Sequence, residues 1–331
     1  MRLQHLPFLY FMLNAVATAP VTTILKPITA HPTATNDVAP GATNIIFQST
    51  DGGETWQDIS QGLPENEPPE GFFAGASEVY LRVKNVMYRS KSNLKTPVWE
   101  KEMGPTLQGA SIAFNRSGVT AYNYEGQIYQ KVPAAGTWSP VYTSFKGRSM
   151  RTVFETSDGT VFLGCDSGLY KSADGGKSWE QVQNEGWVMN IVESEGLLIA
   201  TGQKGIMRST DKGEHWEWVL REGGVGIAIE RIEGGFAAIS ANTTTMSRRI
   251  RLSMDNGKTW EAIDEGLQPS LFISSIKPMG KYLLCGHPDG MFRSSDMGKT
   301  WHMVHAGVDQ RVFRIYVSGK VLYAVAGGGG C

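Results

Sequence analysis

Cysteine, long apolar runs and excess charge of either sign are all scarce in this chain of 331 residues. Only Cys165, Cys285 and Cys331 occur, a small and odd set that excludes a disulfide framework as the main source of stability. Cys165 and Cys285 end or interrupt apolar, strand-like strings and read as small core residues. No Cys/His cluster has metal-ligand spacing, so the reading assigns no metal and no cofactor. The formal net charge is −1, which removes any global electrostatic case for a nucleic-acid partner. The one extended apolar stretch, from Leu6 to Ala17, is too short to span a bilayer. It follows Arg2 and His5 and ends in Ala15-Val16-Ala17, a small-x-small cleavage pattern. Residues 1–19 therefore read as an export signal, with a periplasmic, cell-surface or extracellular destination and no membrane span in the mature chain. Residues 20–44, rich in Thr, Ala and Pro, read as an extended linker.

Glycine and tryptophan, by contrast, are plentiful, with 39 and 9 copies. In a chain with few long apolar runs, that balance points to many short strands joined by tight turns. The string Ser-x-Asp-x-Gly-x-x-Trp occurs five times: Ser49-Asp51-Gly53-Trp56, Ser172-Asp174-Gly176-Trp179, Ser209-Asp211-Gly213-Trp216, Ser253-Asp255-Gly257-Trp260 and Ser294-Asp296-Gly298-Trp301. Two degenerate copies fill the remaining gap, one running from Tyr88-Arg89-Ser90 to Trp99 with its Asp lost, the other from Ile128-Tyr129-Gln130 through Gly136 to Trp138. Successive repeat tryptophans lie 43, 39, 41, 37, 44 and 41 residues apart, the length of one four-stranded propeller blade. In the clearest copy, residues 189–193, 197–201, 206–209 and 216–220 alternate as strands between turn residues.

The motif has a physical rationale. Ser and Asp side chains accept hydrogen bonds from nearby backbone N–H groups and hold a tight turn without outside help. Gly supplies a positive φ. Trp opens the outer strand, covers the turn and packs between blades. These copies resemble the Asp-box (BNR) repeats of sialidases, sortilin ectodomains, xyloglucan hydrolases and photosystem II assembly propellers. The resemblance spans residues 45–331. It implies an all-β fold, a single seven-bladed propeller, with the Asp boxes on the outer rim and away from the ligand face. The 30 residues after Trp301 and the 11 separating Ile45 from Trp56 amount to one period. Residues 312–317 and 321–326 should therefore supply the inner strands of a blade whose outer strands are residues 45–49 and 56–59, closing the ring.

In propellers the ligand face is formed by the loops leading into each first strand and by the turn after the second. The first such loop, residues 60–71, holds Pro64, Pro68 and Pro69 and reads as a solvated rim loop. Arg148-x-x-Arg151 and Arg311-x-x-Arg314 fall at comparable places in units three apart, nearly across the ring. Guanidinium groups converging there would bind a carboxylate, sulfate or phosphate in bidentate fashion. Tyr124, Trp187, Asn190 and His287 are expected on the same face, as are Asn123, Phe272 and Asp289, a surface suited to sugars or peptide segments.

Two functions compete. The sialidase likeness implies an arginine triad, a Tyr–Glu nucleophile pair and an acidic proton donor, but the Arg-Ile-Pro signature is missing; the nearest string is Phe313-Arg314-Ile315-Tyr316. Asp166 and Asp289 are available as an acid pair, yet each stands beside Gly-containing turns and reads as structural. The length matches the single-ring assembly propellers better than two-ring hydrolases. The preferred reading is an exported, non-catalytic propeller that binds a protein or carbohydrate ligand, acidic in character. A glycoside hydrolase is the alternative.

Overall fold

In a computed structural model the protein is described over residues 42–327, apart from residues 66, 93, 103–108, 117, 133–135, 142, 222–223 and 309–310. The expected signal, most of the linker and Cys331 lie outside the described residues. Seven antiparallel sheets of four strands form, each a simple up-and-down meander. We number the blades along the chain: blade 1 spans residues 69–101, blade 2 residues 111–141, blade 3 residues 150–183, blade 4 residues 188–220, blade 5 residues 224–262 and blade 6 residues 275–306. Blade 7 joins both ends of the chain, with Val312–Ser318 innermost, then Val321–Gly327, Ile46–Ser49 and Gln57–Asp58. Ile46 pairs with Val325 and Ser49 with Leu322 in an unbroken register. The innermost strands touch their neighbours all the way round, so the ring closes where the residue count placed the join.

Burial explains the strand patterns. Second strands are covered on both faces by the adjoining blades, so Leu197–Gly202 and Val321–Gly327 are near-continuous buried runs rather than alternating ones. Outermost strands are short and wet: Gln57–Asp58, Glu100–Lys101 and Glu261–Ala262 are exposed throughout. Each of the repeat tryptophans 56, 179, 216, 260 and 301 stands just ahead of the outer strand it was expected to begin. Cys165 and Cys285 are fully buried free thiols.

All five Ser-Asp-Gly-Trp turns share one hydrogen-bond set. The Ser hydroxyl donates to the Asp carboxylate at 2.7–2.9 Å and accepts from the Gly N–H at 2.8–3.0 Å. The Asp then accepts the backbone N–H four residues on, from Thr55, Ser178, His215, Thr259 and Thr300. The indoles of Trp56, Trp179, Trp216 and Trp260 donate to the Gly carbonyl of their own turn, whereas Trp301 donates across to the carbonyl of Ile263, the residue just after blade 5. Gly213 shows why no side chain is tolerated: its φ is +81°, and a Cβ would lie 2.4 Å from the Phe162 ring of the preceding blade.

These turns make stability depend on acid. Hydrogen bonds from the side chain and backbone of Thr300, then from Ser294, hold the Asp296 carboxyl down at about 2. Partial burial pulls Asp51 upward, but hydrogen bonds from Thr55, Ser49 and Glu54 outweigh it and leave it at about 2 as well. Asp174, Asp211 and Asp255 shift in the same direction. A carboxyl depressed on folding contributes fully above its unfolded value of about 4 and loses that contribution as pH falls toward the folded one. Thermal melts should therefore show a falling midpoint between about pH 4 and pH 2. Asp296→Asn should melt lower than the wild type at neutral pH and lose less on acidification; parallel pH curves for the two proteins would refute this origin.

Candidate functional site

Every inner strand starts at one face of the ring, the face that also carries the turn between second and third strands. Four inner strands break register near that mouth. The shift lies between Pro69 and Gly71 in blade 1, Met150 and Thr152 in blade 3, Val188 and Asn190 in blade 4, and Gly226 and Ala228 in blade 5. The extra residues are Glu70, Arg151, Met189 and Ile227. A bulge leaves one residue unpaired and re-aims its side chain, and here two of the four bulged residues are charged.

A cavity of about 480 Å³ opens at the mouth between blades 7, 1 and 2. Its charged wall is Glu70, Arg82 and Arg314, and its aromatic wall includes Phe72, Phe73, Tyr124 and Tyr316. Arg82 is held in place from several sides: its guanidinium donates to the Ala110 carbonyl and to the Glu70 carbonyl, and its Nε stands 3.4 Å from the Glu70 carboxylate. The Glu70 side chain remains 48% exposed, so its carboxylate stays available to solvent or a ligand. Burial pushes the Tyr316 hydroxyl upward, with Arg314 pulling the other way both by charge and by a hydrogen bond.

Beside this cavity, Arg151 is bracketed by aromatic rings from both neighbouring blades. Its guanidinium carbon lies 4.9 Å from the Trp187 ring centre and 5.8 Å from that of Tyr124. Cation–π contact on both sides fixes the group without neutralising it. Its Nε is buried and has no hydrogen-bond partner among the described residues, nor does any carboxylate there form an ion pair with it. Tyr124 is 56% exposed and belongs to both features, lining the cavity while stacking on Arg151.

The four arginines expected at the mouth have different surroundings. Arg151 stacks on Tyr124 and Arg314 lines the same cavity as Tyr124, but Arg148 turns to Ser167 and the Tyr170 ring of its own blade. Arg311 forms a backbone bridge with Val308 at the start of blade 7. Asn190 uses its carbonyl to accept the Ile229 N–H of blade 5 at 3.2 Å. His287 is 1% exposed; its Nε2 lies 2.8 Å from the Gln268 carbonyl and its Nδ1 accepts the Asp289 N–H, so the ring braces its own blade and the loop before it. Asn123 accepts the N–H groups of Glu125 and Gln127 within its own turn, while Phe272 is exposed on the loop leading into blade 6. Asp166 and Asp289 belong to blades 3 and 6, with two blades between them.

Glu70, Arg82 and Tyr316 were not foreseen as a group. The loop read as residues 60–71 already becomes strand at Pro69, which turns its final acidic residue from a rim group into a wall of the cavity. Arg82 carried a signal, as a charge within the otherwise uncharged, largely buried run that follows Glu78 in the second strand Glu78–Val83. Among the described residues no group of three or more His, Cys, Asp or Glu could hold a metal ion, and no helix is long and apolar enough to cross a membrane.

No family model and no curated protein matches this sequence. Solved structures do share the fold. Virginiamycin B lyase from Staphylococcus aureus, solved as an inactive variant with quinupristin, superposes with a TM-score of 0.60 at 13% identity over 80% of this chain and 96% of that one. YCF48 from Cyanidioschyzon merolae gives 0.58 at 12% identity, with 80% of this chain and 96% of that chain covered. The GH74 xyloglucanase from Xanthomonas campestris gives 0.56 at 15% identity over 73% of this chain but only 45% of its own length. These likenesses are of propeller architecture.

Proposed function

We propose that this is an exported, non-catalytic propeller that recognises an anionic group of a protein or glycan at the mouth of its ring. The observation that carries the reading is Arg151, bracketed by Tyr124 and Trp187 with no ion-pairing carboxylate among the described residues, beside a cavity walled by Arg314. Leaving the buried Arg151 Nε–H without an acceptor has a cost, and the charge-assisted bonds a guanidinium makes to a ligand carboxylate or sulfate are among the stronger polar contacts. The small-x-small pattern after the Leu6–Ala17 stretch supports export. The neighbouring folds include a xyloglucanase and a lyase solved with quinupristin, so fold alone does not choose between ligand types.

The test is a glycan array combined with acidic peptides, read at low and high salt. Arg151→Ala and Arg314→Ala should each weaken the retained ligand by about ten- to hundredfold, the range of a lost charge-assisted contact. Arg148→Ala, whose side chain is engaged within blade 3, should leave binding unchanged. Wild-type affinity should fall as salt rises. Equal binding by the wild type, Arg151→Ala and Arg314→Ala would refute the anion site.

A further inference from the structure

The acceptor pattern Asn-x-Ser/Thr for N-linked sugars occurs twice, as Asn115-Arg116-Ser117 and Asn242-Thr243-Thr244. The fold places the two asparagines in opposite settings. Asn242 ends the second strand of blade 5, Gly235–Asn242, and the turn that follows it, residues 243–246, is exposed throughout. Being a turn between second and third strands, it stands on the mouth face. The Asn242 amide helps to build it, its Oδ1 accepting the N–H groups of Thr244 at 2.8 Å and Thr245 at 3.0 Å. An N-linked sugar is joined at the side-chain nitrogen, so the oxygen and both of these bonds stay as they are. Asn115 is arranged the other way. Its Nδ2 donates to the Thr120 Oγ1 at 3.3 Å across the inner hairpin of blade 2, and Thr120 is buried. A sugar on that nitrogen would be driven against the packed hairpin. The ground beside Asn242 is also apolar and uncovered. Met246, in the same turn, is 62% exposed, and Phe272, on the loop into blade 6, is 47% exposed. The Arg248 N–H donates to the Ser270 carbonyl at 2.9 Å and the Phe272 N–H to the Ser270 hydroxyl at 3.0 Å, which ties that loop to the strand leaving the turn. Exposed apolar ground of this kind marks a surface that something covers, and the C–H faces of an attached sugar are suited to it. None of these residues lines the cavity between blades 7, 1 and 2.

We infer that Asn242 is a modification site, the acceptor of an N-linked oligosaccharide, and that Asn115 is not. The co-substrate is an oligosaccharide carried on a lipid diphosphate. The Asn242 nitrogen bonds to the anomeric carbon as the bond from that carbon to the phosphate oxygen breaks. The amide gives up one proton, the lipid diphosphate leaves, and nothing is oxidised or reduced. The Thr244 hydroxyl is the third-position group that the transferring enzyme reads. The inference rests on the export reading, because only a chain entering a secretory compartment meets such a donor. It is independent of the anion site.

The full chain, expressed in a mammalian secretory host and recovered from the medium, tests it. Peptide N-glycosidase converts each sugar-bearing Asn to Asp, and mass spectrometry of the peptides then shows which asparagine was modified. The wild type should carry one N-linked glycan, with conversion at Asn242 and none at Asn115. Thr244→Ala leaves Asn242 and its turn in place, removes the hydroxyl that is read, and should lose the glycan while still melting cooperatively. Asn115→Gln should keep the glycan. A secreted wild type without a glycan would overturn the inference, as would a glycan on Asn115 or one that persists on Asn242 in Thr244→Ala. A chain that stays inside the cell is tested again with the host's own export leader fused ahead of Met1. If the exported fusion carries its glycan on Asn242, the site stands and only export by the chain's own leader fails. If the exported fusion is bare, the site itself falls.

Discussion

A chain ending at Ser318 is expected to lose the folded ring entirely rather than one blade of it. The missing strand, Val321–Gly327, lies between the innermost strand Val312–Ser318 and the amino-terminal strand Ile46–Ser49. Its removal takes Leu322, Tyr323 and Val325 out of two separate clusters that reach into blades 1 and 6. Fully burying such a side chain contributes about 1.5–3 kcal/mol, so three of them already rival the whole stability of about 5–15 kcal/mol typical of a domain. The loss also leaves Ile46–Ser49 with unpaired backbone groups on an open edge. Circular dichroism and gel filtration should show an unfolded or aggregated product with no cooperative melt. The control is a circular permutant that opens the chain between blades 6 and 7 and joins Gly327 to Ile45 through a short turn. Val325 pairs with Ile46 and the Ala326 N–H donates to the Ile45 carbonyl, so that junction only replaces a gap with a hairpin. The permutant should fold and melt cooperatively. A truncated chain that melts like the full-length protein would show that the join contributes little to ring stability.

The same join illustrates what could be read from residues alone. Ring closure followed from a period of about forty, because each repeat tryptophan marks a turn whose hydrogen bonds are local and therefore tied to sequence spacing. The Ser-Asp-Gly-Trp turns formed as expected for that reason, with only the start of each outer strand displaced past the Trp. The site was less legible because it depends on register. Nothing in the string Pro69-Glu70-Gly71-Phe72 distinguishes a paired strand start from a bulge, yet a shift of one residue decides whether Glu70 faces the cavity or the rim. Arg148 and Arg151 looked equivalent at three-residue spacing, but one bonds within its own blade while the other, at a bulge, stacks between rings from the two adjoining blades. Arg82 was the recoverable omission, since a charge in a strand buried on both faces requires a partner or a function.

Blades 1 and 2, whose turns lack the Asp, carry the other large expected effect. Between them lies a nearly buried ion pair: Lys131 Nζ sits 2.9 Å from the Glu102 carboxylate, with side chains only 9% and 6% exposed. Lys131 also donates to the Tyr80 hydroxyl at 2.8 Å, and Tyr80 in turn donates to Glu78 at 2.7 Å. Arg89 approaches the other Glu102 oxygen at 3.3 Å, and the Trp138 indole donates to the first. Burial, then Glu78, pushes the Tyr80 hydroxyl upward, which keeps it a neutral relay in this chain. Blade 4 instead docks on blade 3 through the Gly213 turn, which leaves no room for a Cβ against Phe162. The ionic cluster thus supplies across one interface what a glycine turn supplies across another. Removing one member of a buried pair costs about 3–5 kcal/mol; here Glu102 would keep only the longer contact to the part-exposed Arg89 and the Trp138 indole, which places Lys131→Ala toward the lower end of that range. Lys131→Ala should lower the unfolding free energy measured in urea by an amount of that size, far more than loss of an exposed ion pair such as Lys204–Glu185 would. Lys131→Met combined with Glu102→Gln should recover part of the loss, because no isolated charge then remains buried. A single substitution costing less than about 1 kcal/mol, or a double-mutant cycle without coupling, would show that aromatic packing of Tyr80 and Trp138 alone holds the two blades together.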